Sequence, residues 1–147
     1  MNDEDLEFEY DLAVLVLGHN LVAGKWTLSI LWYLSKGNMG FSELYEFFKY
    51  TSKSVFSKQL HELQDAGLVK RKVLGKAPIR VEYSLTEIGA KLIPVFNSMI
   101  EWSTIYVKTQ KDEEMSDIDF IEQSFLTDKY KAYKDAKVVL TNKKSNK

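Results

Sequence analysis

TSKSVFSKQLHELQDAGLV, residues 51–69, is the stretch that decides the architecture. Phe56, Leu60 and Leu63 recur at spacings of four and three, so they share one stripe of a helix running from about Lys53 to Ala66. The outer face then reads Lys53, Ser54, Ser57, Lys58 and His61. Either Thr51 or Ser52 can cap the first turn, because a short hydroxyl side chain accepts from amides that a helix start leaves without partners. Gly67 is placed to end the helix in a left-handed conformation that a β-carbon would resist.

On the N-terminal side, Phe41 to Tyr50 spaces Leu44, Phe47 and Phe48 as the buried face of another helix, with Glu43, Glu46 and Lys49 towards water. Lys25 to Ser35 places Trp26, Ile30 and Leu34 on one stripe, with Leu31 and Tyr33 beside it, and Lys36-Gly37-Asn38 supplies a turn. Leu12 to Val22 suits a short helix through Leu12, Val14, Leu15, Leu17 and Leu21. Residues 1–11 are acidic and carry only Leu6, Phe8 and Tyr10 as apolar positions, which suggests a poorly ordered arm or a partner-docking strand.

On the C-terminal side, Val81, Tyr83 and Leu85 alternate with Arg80, Glu82 and Ser84, the period of a half-buried strand, and Leu68 to Leu74 is its antiparallel partner. Gly75 to Pro78 joins them as a loop that carries Lys76. Thr86 then caps a long helix whose apolar face is Ile88, Leu92, Val95, Phe96, Met99, Trp102 and Tyr106. Pro94 lies inside it and is expected to kink the axis, since its nitrogen cannot donate to the Ala90 carbonyl. After Lys108 a surface linker is expected, then weaker helices near Ser116–Phe125 and Asp128–Val139, with residues 142–147 disordered. The chain thus divides into an acidic arm (1–11), a central domain (12–108) and a partly helical C-terminal extension (109–147). The fold class is mainly α with a small β-hairpin, a winged helix-turn-helix of the α+β kind.

Charge narrows the function. Lys plus Arg number 20 against 21 Asp plus Glu, so the overall balance points to no particular partner. The distribution is uneven. Asp3 to Asp11 holds six carboxylates and no basic residue, whereas Lys49 to Arg80 holds eight Lys or Arg against Glu62 and Asp65 alone, a net +6. With no cysteine, disulfides, thiolate metal sites and thiol redox switches are excluded. The longest apolar run, Leu12 to Leu17, is too short to span a bilayer, and an acidic start has the wrong charge for a signal peptide. A soluble, cytoplasmic protein without membrane contact is expected.

The element order places the +6 segment on the second helix of a helix-turn-helix and on the hairpin after it. In that arrangement the second helix enters the major groove of duplex DNA, and a basic hairpin reaches the adjacent backbone or minor groove. Lysines neutralise phosphates and release counterions, while short polar side chains near the helix start touch base edges. Ser52, Lys53, Ser54, Ser57 and Lys58 fit the helix part of that division, with His61 one turn further along the same face, and Lys70, Lys72, Lys76 and Arg80 the hairpin part. Bland readings stand beside these. Lys53 and Lys58 can be a solvated face, Arg80 can pair with Glu82, Arg71 faces away from Lys70 and Lys72 and suits a structural role, and His61 suits a pH-sensitive surface position. Trp26, Trp32 and Trp102 fit core packing better than an effector pocket. The competing function is a winged-helix protein-interaction module without specific DNA binding, which the acidic N-terminus favours and the +6 segment opposes. An enzyme finds no support: there is no glycine-rich phosphate loop, and His19 and His61 are too far apart in sequence to suggest a metal site.

The blocks Ala23-Gly24-Lys25-Trp26 with Leu28 and Leu31, Phe41-Ser42-Glu43-Leu44, Lys58-Gln59-Leu60-His61-Glu62-Leu63 and Ala66-Gly67-Leu68-Val69 together resemble the HxlR-type regulators. So do Pro78, Arg80-Val81-Glu82-Tyr83-Ser84-Leu85-Thr86, Gly89 and the run from Pro94 to Trp102. The likeness covers roughly Val14 to Ser103. It implies a winged-helix transcription regulator that binds double-stranded DNA as a homodimer, with N- and C-terminal helices building the dimer contact, and it calls for no cofactor. Two departures stand out. Family members often carry a cysteine near the position of Ala13, which some use to sense oxidants or electrophiles, and none is present here; the tail after Ser103 is also longer than the family usually shows.

Overall fold

The computed structural model describes residues 1–24 and 26–126. In chain order its elements are α1 (Asp3–Val22), α2 (Thr27–Leu34), β1 (Met39–Gly40), α3 (Phe41–Glu46), α4 (Lys53–Asp65), β2 (Val69–Leu74), β3 (Arg80–Leu85), α5 (Glu87–Ala90), α6 (Leu92–Gln110) and α7 (Asp117–Leu126). Two compact units divide it, the first ending at Ala90 and the second beginning at Lys91.

In the first unit, the acidic opening residues are neither an arm nor a strand but the first turns of α1. Asn2 accepts from the Asp5 amide at 2.9 Å while the Asp5 carboxylate accepts from the Asn2 amide at 3.1 Å, a reciprocal cap. Asp3, Glu4 and Asp5 then sit where a helix start favours negative charge. The acidity that resembles a mark of disorder is thus a helix-start signal. None of the side chains of α1 is buried.

The core gathers Trp26, Ile30, Leu31, Leu34, Leu44, Phe48, Phe56, Leu60, Leu63, Leu68, Val69 and Tyr83. Phe48 is at its centre, stacked on Phe56 at 5.1 Å and edge-on to Trp26 and Tyr33 at 6.0 and 5.7 Å. Tyr33 lies flat against Phe47 at 4.1 Å, and burial raises its phenol above the ordinary tyrosine value. The third helix stops at Glu46, short of Tyr50, and residues 47–50 form a turn that the Tyr45 hydroxyl closes by donating to the Thr51 carbonyl at 2.6 Å.

The sheet has one strand beyond the expected hairpin. β3 is central, paired antiparallel with β2 on one edge and with the two-residue β1 on the other. Gly67, at φ +76°, ends α4: the Leu68 amide donates to the Leu63 carbonyl at 3.0 Å and the Gly67 amide to that of Gln64 at 2.9 Å. Thr86 links this corner to the next helix, donating to the Gly67 carbonyl at 2.5 Å and accepting from the Gly89 amide at 3.0 Å. Gly89 is buried there, and a β-carbon at that position would overlap the Leu68 carbonyl.

In the second unit, Pro94 falls in the opening turn of α6, where its missing amide hydrogen has no helical partner to lose. The expected single kinked helix is therefore two helices, α5 and α6, with Lys91 between them. Phe96 is the buried residue of α6, while Val95, Met99, Trp102 and Tyr106, spaced four, three and four apart, are all exposed. Trp102 stacks on Tyr106 at 5.4 Å and is 64% exposed, so it is not the core residue expected. The linker is a defined turn. Lys111 donates to the Met115 carbonyl at 2.7 Å and pairs with Asp117 at 3.4 Å, and Ser116 caps α7 by accepting from the Asp119 amide at 3.1 Å. The helix expected over Asp128–Val139 and the disorder expected at 142–147 lie outside the described residues. No single helix among the described residues is long and apolar enough to cross a membrane.

Candidate nucleic-acid interface

α3, the turn after it and α4 make a helix-turn-helix, and α4 carries a buried stripe of Phe56, Leu60 and Leu63. At 3.6 residues per turn, Ser54, Lys58 and His61 follow one another on the side facing away from that stripe, with Lys53 and Ser57 on one flank and Val55 and Glu62 on the other. All of these are exposed. The choice between Thr51 and Ser52 as cap resolves to Ser52, whose Oγ accepts from the Val55 amide at 3.1 Å. Lys53 Nζ lies 5.9 Å from the centre of the Tyr45 ring, an interaction that steadies the lysine at the helix start while leaving it exposed. His61 Nε2 lies 3.5 Å from Asp65.

The register of the hairpin sorts its cations. Lys70, Lys72 and Leu74 face Ser84, Glu82 and Arg80, so Lys70, Lys72 and Arg80 share one face of the sheet. Along it Lys70 lies near the buried end, Lys72 in the middle, and Arg80 beside the loop that carries Lys76. Arg71 lies opposite Tyr83 on the other face, as the alternation implies. Glu82 does not pair with Arg80; its carboxylate accepts from Asn38 Nδ2 at 3.1 Å. Among the described residues, Lys58, Lys70, Lys72, Lys76 and Arg80 are exposed and take part in no ion pair. Cations left without carboxylate partners on the outer side of a helix and along one sheet face are free to meet an anionic ligand.

Three features of this region escape a reading of the sequence. β1 is too short to carry an alternating pattern, and Asn38 joins Glu82 across 44 positions. Val55, 51% exposed, is visible only as the apolar residue of α4 that falls off the Phe56 stripe.

A helix-turn-helix followed by an antiparallel hairpin is a winged helix, the architecture of a large class of DNA-binding regulators. The chain belongs to the HxlR family: the family model described as HxlR-like helix-turn-helix matches residues 21–111. An HTH-type transcriptional regulator of Methanothermobacter thermautotrophicus is 32% identical over 112 residues, covering 76% of this chain and 82% of the relative. Among solved structures, a MarR-family transcriptional regulator from Enterococcus faecalis V583 superposes with a TM-score of 0.64 at 28% identity, over 67% of this chain and 90% of that one. The redox regulator HypR in its reduced form gives 0.57 at 31% identity, over 61% and 89%. The chain is a DNA-binding transcription regulator. It lacks cysteine altogether, so no thiol chemistry of its own can serve as a signal.

Proposed function

We propose that this regulator recognises a specific duplex sequence as a homodimer, with α4 in the major groove and the wing, residues 74–80, on the neighbouring backbone or minor groove. The observation that carries the proposal is the set of exposed cations without ion-pair partners among the described residues: Lys58 on the outer side of α4, and Lys70, Lys72, Lys76 and Arg80 on the hairpin. Lys53, Lys58 and the hairpin cations neutralise phosphates, while Ser52, Ser54 and Ser57 lie near enough to the helix start to reach backbone oxygens or base edges, and His61 lies one turn further along the same face.

Exposed apolar seams support the homodimer. On α1, Leu6, Tyr10, Leu17 and Leu21 form one stripe and Phe8, Leu12 and Leu15 another on the opposite side, all exposed. On α6, Val95, Met99, Trp102 and Tyr106 form a third. A second copy supplies such seams with partners at no cost in new sequence, and a two-fold dimer presents two copies of α4 to half-sites about 34–36 Å apart per helical turn. The proposed place of action is the cytoplasm, with the DNA.

Selection of bound sites from random duplexes tests the whole reading, since symmetric half-sites are expected and winners without two-fold symmetry would overturn the dimer. On the selected site, Lys58→Ala and Lys76→Ala should each weaken binding and flatten the plot of log affinity against log salt by roughly 0.9 for every phosphate no longer neutralised. An unchanged slope in both variants refutes the assigned roles.

A further inference from the structure

Val55 is an anomaly on α4. The other aliphatic and aromatic residues of that helix, Phe56, Leu60 and Leu63, are at most 2% exposed, whereas Val55 is 51% exposed. A β-branched residue lowers helix propensity relative to alanine or lysine, and here half of its surface stays in water instead of joining the core.

Its position is well fixed. The Val55 amide is held by the Ser52 cap at 3.1 Å, so the residue sits in the first turn, beside Ser54 and one turn from Lys58. β-Branching confines its side chain to one dominant rotamer in a helix, so its two methyl groups are presented in one direction before any ligand arrives. The first turn of a recognition helix is the part that meets base edges. On the floor of the major groove the one apolar group a standard base pair offers is the 5-methyl of thymine.

We propose that Val55 reads a thymine 5-methyl group, one in each half-site. This rests on the placement of α4 in the major groove argued above. It adds a shape-reading apolar contact to a helix face otherwise polar or charged. Ser54 and Lys58, on the outer side next to the valine, hold the backbone and neighbouring edges, while Val55 discriminates thymine from cytosine and uracil at a single step.

The test replaces each thymine of the selected site by deoxyuridine, one symmetric pair at a time, which removes the methyl and leaves every hydrogen-bonding group. Wild-type protein should lose about fourfold in affinity per methyl at one position of the half-site, the worth of one buried methylene-sized group. Val55→Ala should bind the thymine and uracil forms of that position equally, keep the wild-type response elsewhere, and melt no lower than the parent. Indifference of the wild type to uracil at every position, a half-site without thymine, or full discrimination retained by Val55→Ala would each overturn the assignment. So would a Val55→Ala variant whose change lies in its molecular mass in solution, which would make the valine a contact with a second copy. Wild-type protein that binds no duplex at all would instead sink the placement of α4.

Discussion

α1 and α4 are both largely open to solvent, yet they stand in opposite relations to the rest of the chain. α4 is finished: one stripe is driven into the core to at most 2% exposure, and the remainder is polar apart from Val55. α1 is unfinished. It is half again as long, buries no side chain, and distributes leucines, valines and aromatics around its circumference among acidic residues. Exposed charge needs no explanation from packing, whereas exposed apolar surface on a helix of twenty residues costs free energy until something covers it. The difference teaches that α4 gives the core a full stripe while α1 gives it no buried side chain, which leaves the apolar surface of α1 to the proposed homodimer.

That contrast can be broken most severely at Phe56. It is fully buried and packs on Phe48, Phe41 and Tyr45 at ring-centre distances of 5.1, 5.5 and 5.5 Å. Phe56→Ala should cost about 3–5 kcal/mol in chemical denaturation, independent of protein concentration. A change on α1 should behave otherwise. Leu17→Asp, at a residue 58% exposed, should leave the melting of an isolated protomer nearly unchanged but weaken the proposed self-association by about 1.5–3 kcal/mol, the worth of burying one leucine. Sedimentation at several concentrations checks this, and a variant that stays as dimeric as the parent would show that the seam through Leu17 is not the contact.

The core-facing half of the molecule was legible in the residues, and the reason is periodicity. Phe56, Leu60 and Leu63, the cap at Ser52, the glycine at 67 and the alternation from Arg80 to Leu85 all act over short range, and each appears where expected. What fails to show follows from longer range or from two signals in competition. The carboxylates of residues 3–11 suggest an arm because charge and low apolar content are the marks of disorder, but the same carboxylates stabilise a helix start. Pro94 is bound to disturb a helix, but only the placement of a new helix start at Leu92 turns the disturbance into a break. Trp102 has the look of core because large apolar residues usually are, and a pattern of four, three and four reads the same for an inward face as for a face that waits for a partner. Of the candidate interface, the hairpin cations can be sorted by face from alternation alone, whereas the Asn38–Glu82 bond that leaves Arg80 without that carboxylate needs the fold.

The smallest effect compares two caps of the same chemistry. Ser52 holds the Val55 amide at 3.1 Å and Asn2 holds the Asp5 amide at 2.9 Å, so removing either side-chain acceptor should cost about 1 kcal/mol locally. The cost should surface in different places. α4 is tied to the core through Phe56, so its first turn cannot loosen without loosening what packs below it, and Ser52→Ala should lower global stability by roughly that amount. Ser52→Asn restores a side-chain acceptor and should recover most of the deficit, which separates the cap from any direct contact of the Ser52 hydroxyl with DNA. Asn2→Ala should leave the global transition almost where it was and speed amide hydrogen exchange in the first turn of α1, because nothing buried depends on that turn in a single protomer. Equal shifts of the main unfolding transition in Ser52→Ala and Asn2→Ala would mean that α1 is as firmly coupled to the core as α4, and that its apolar seams are not waiting for a second copy.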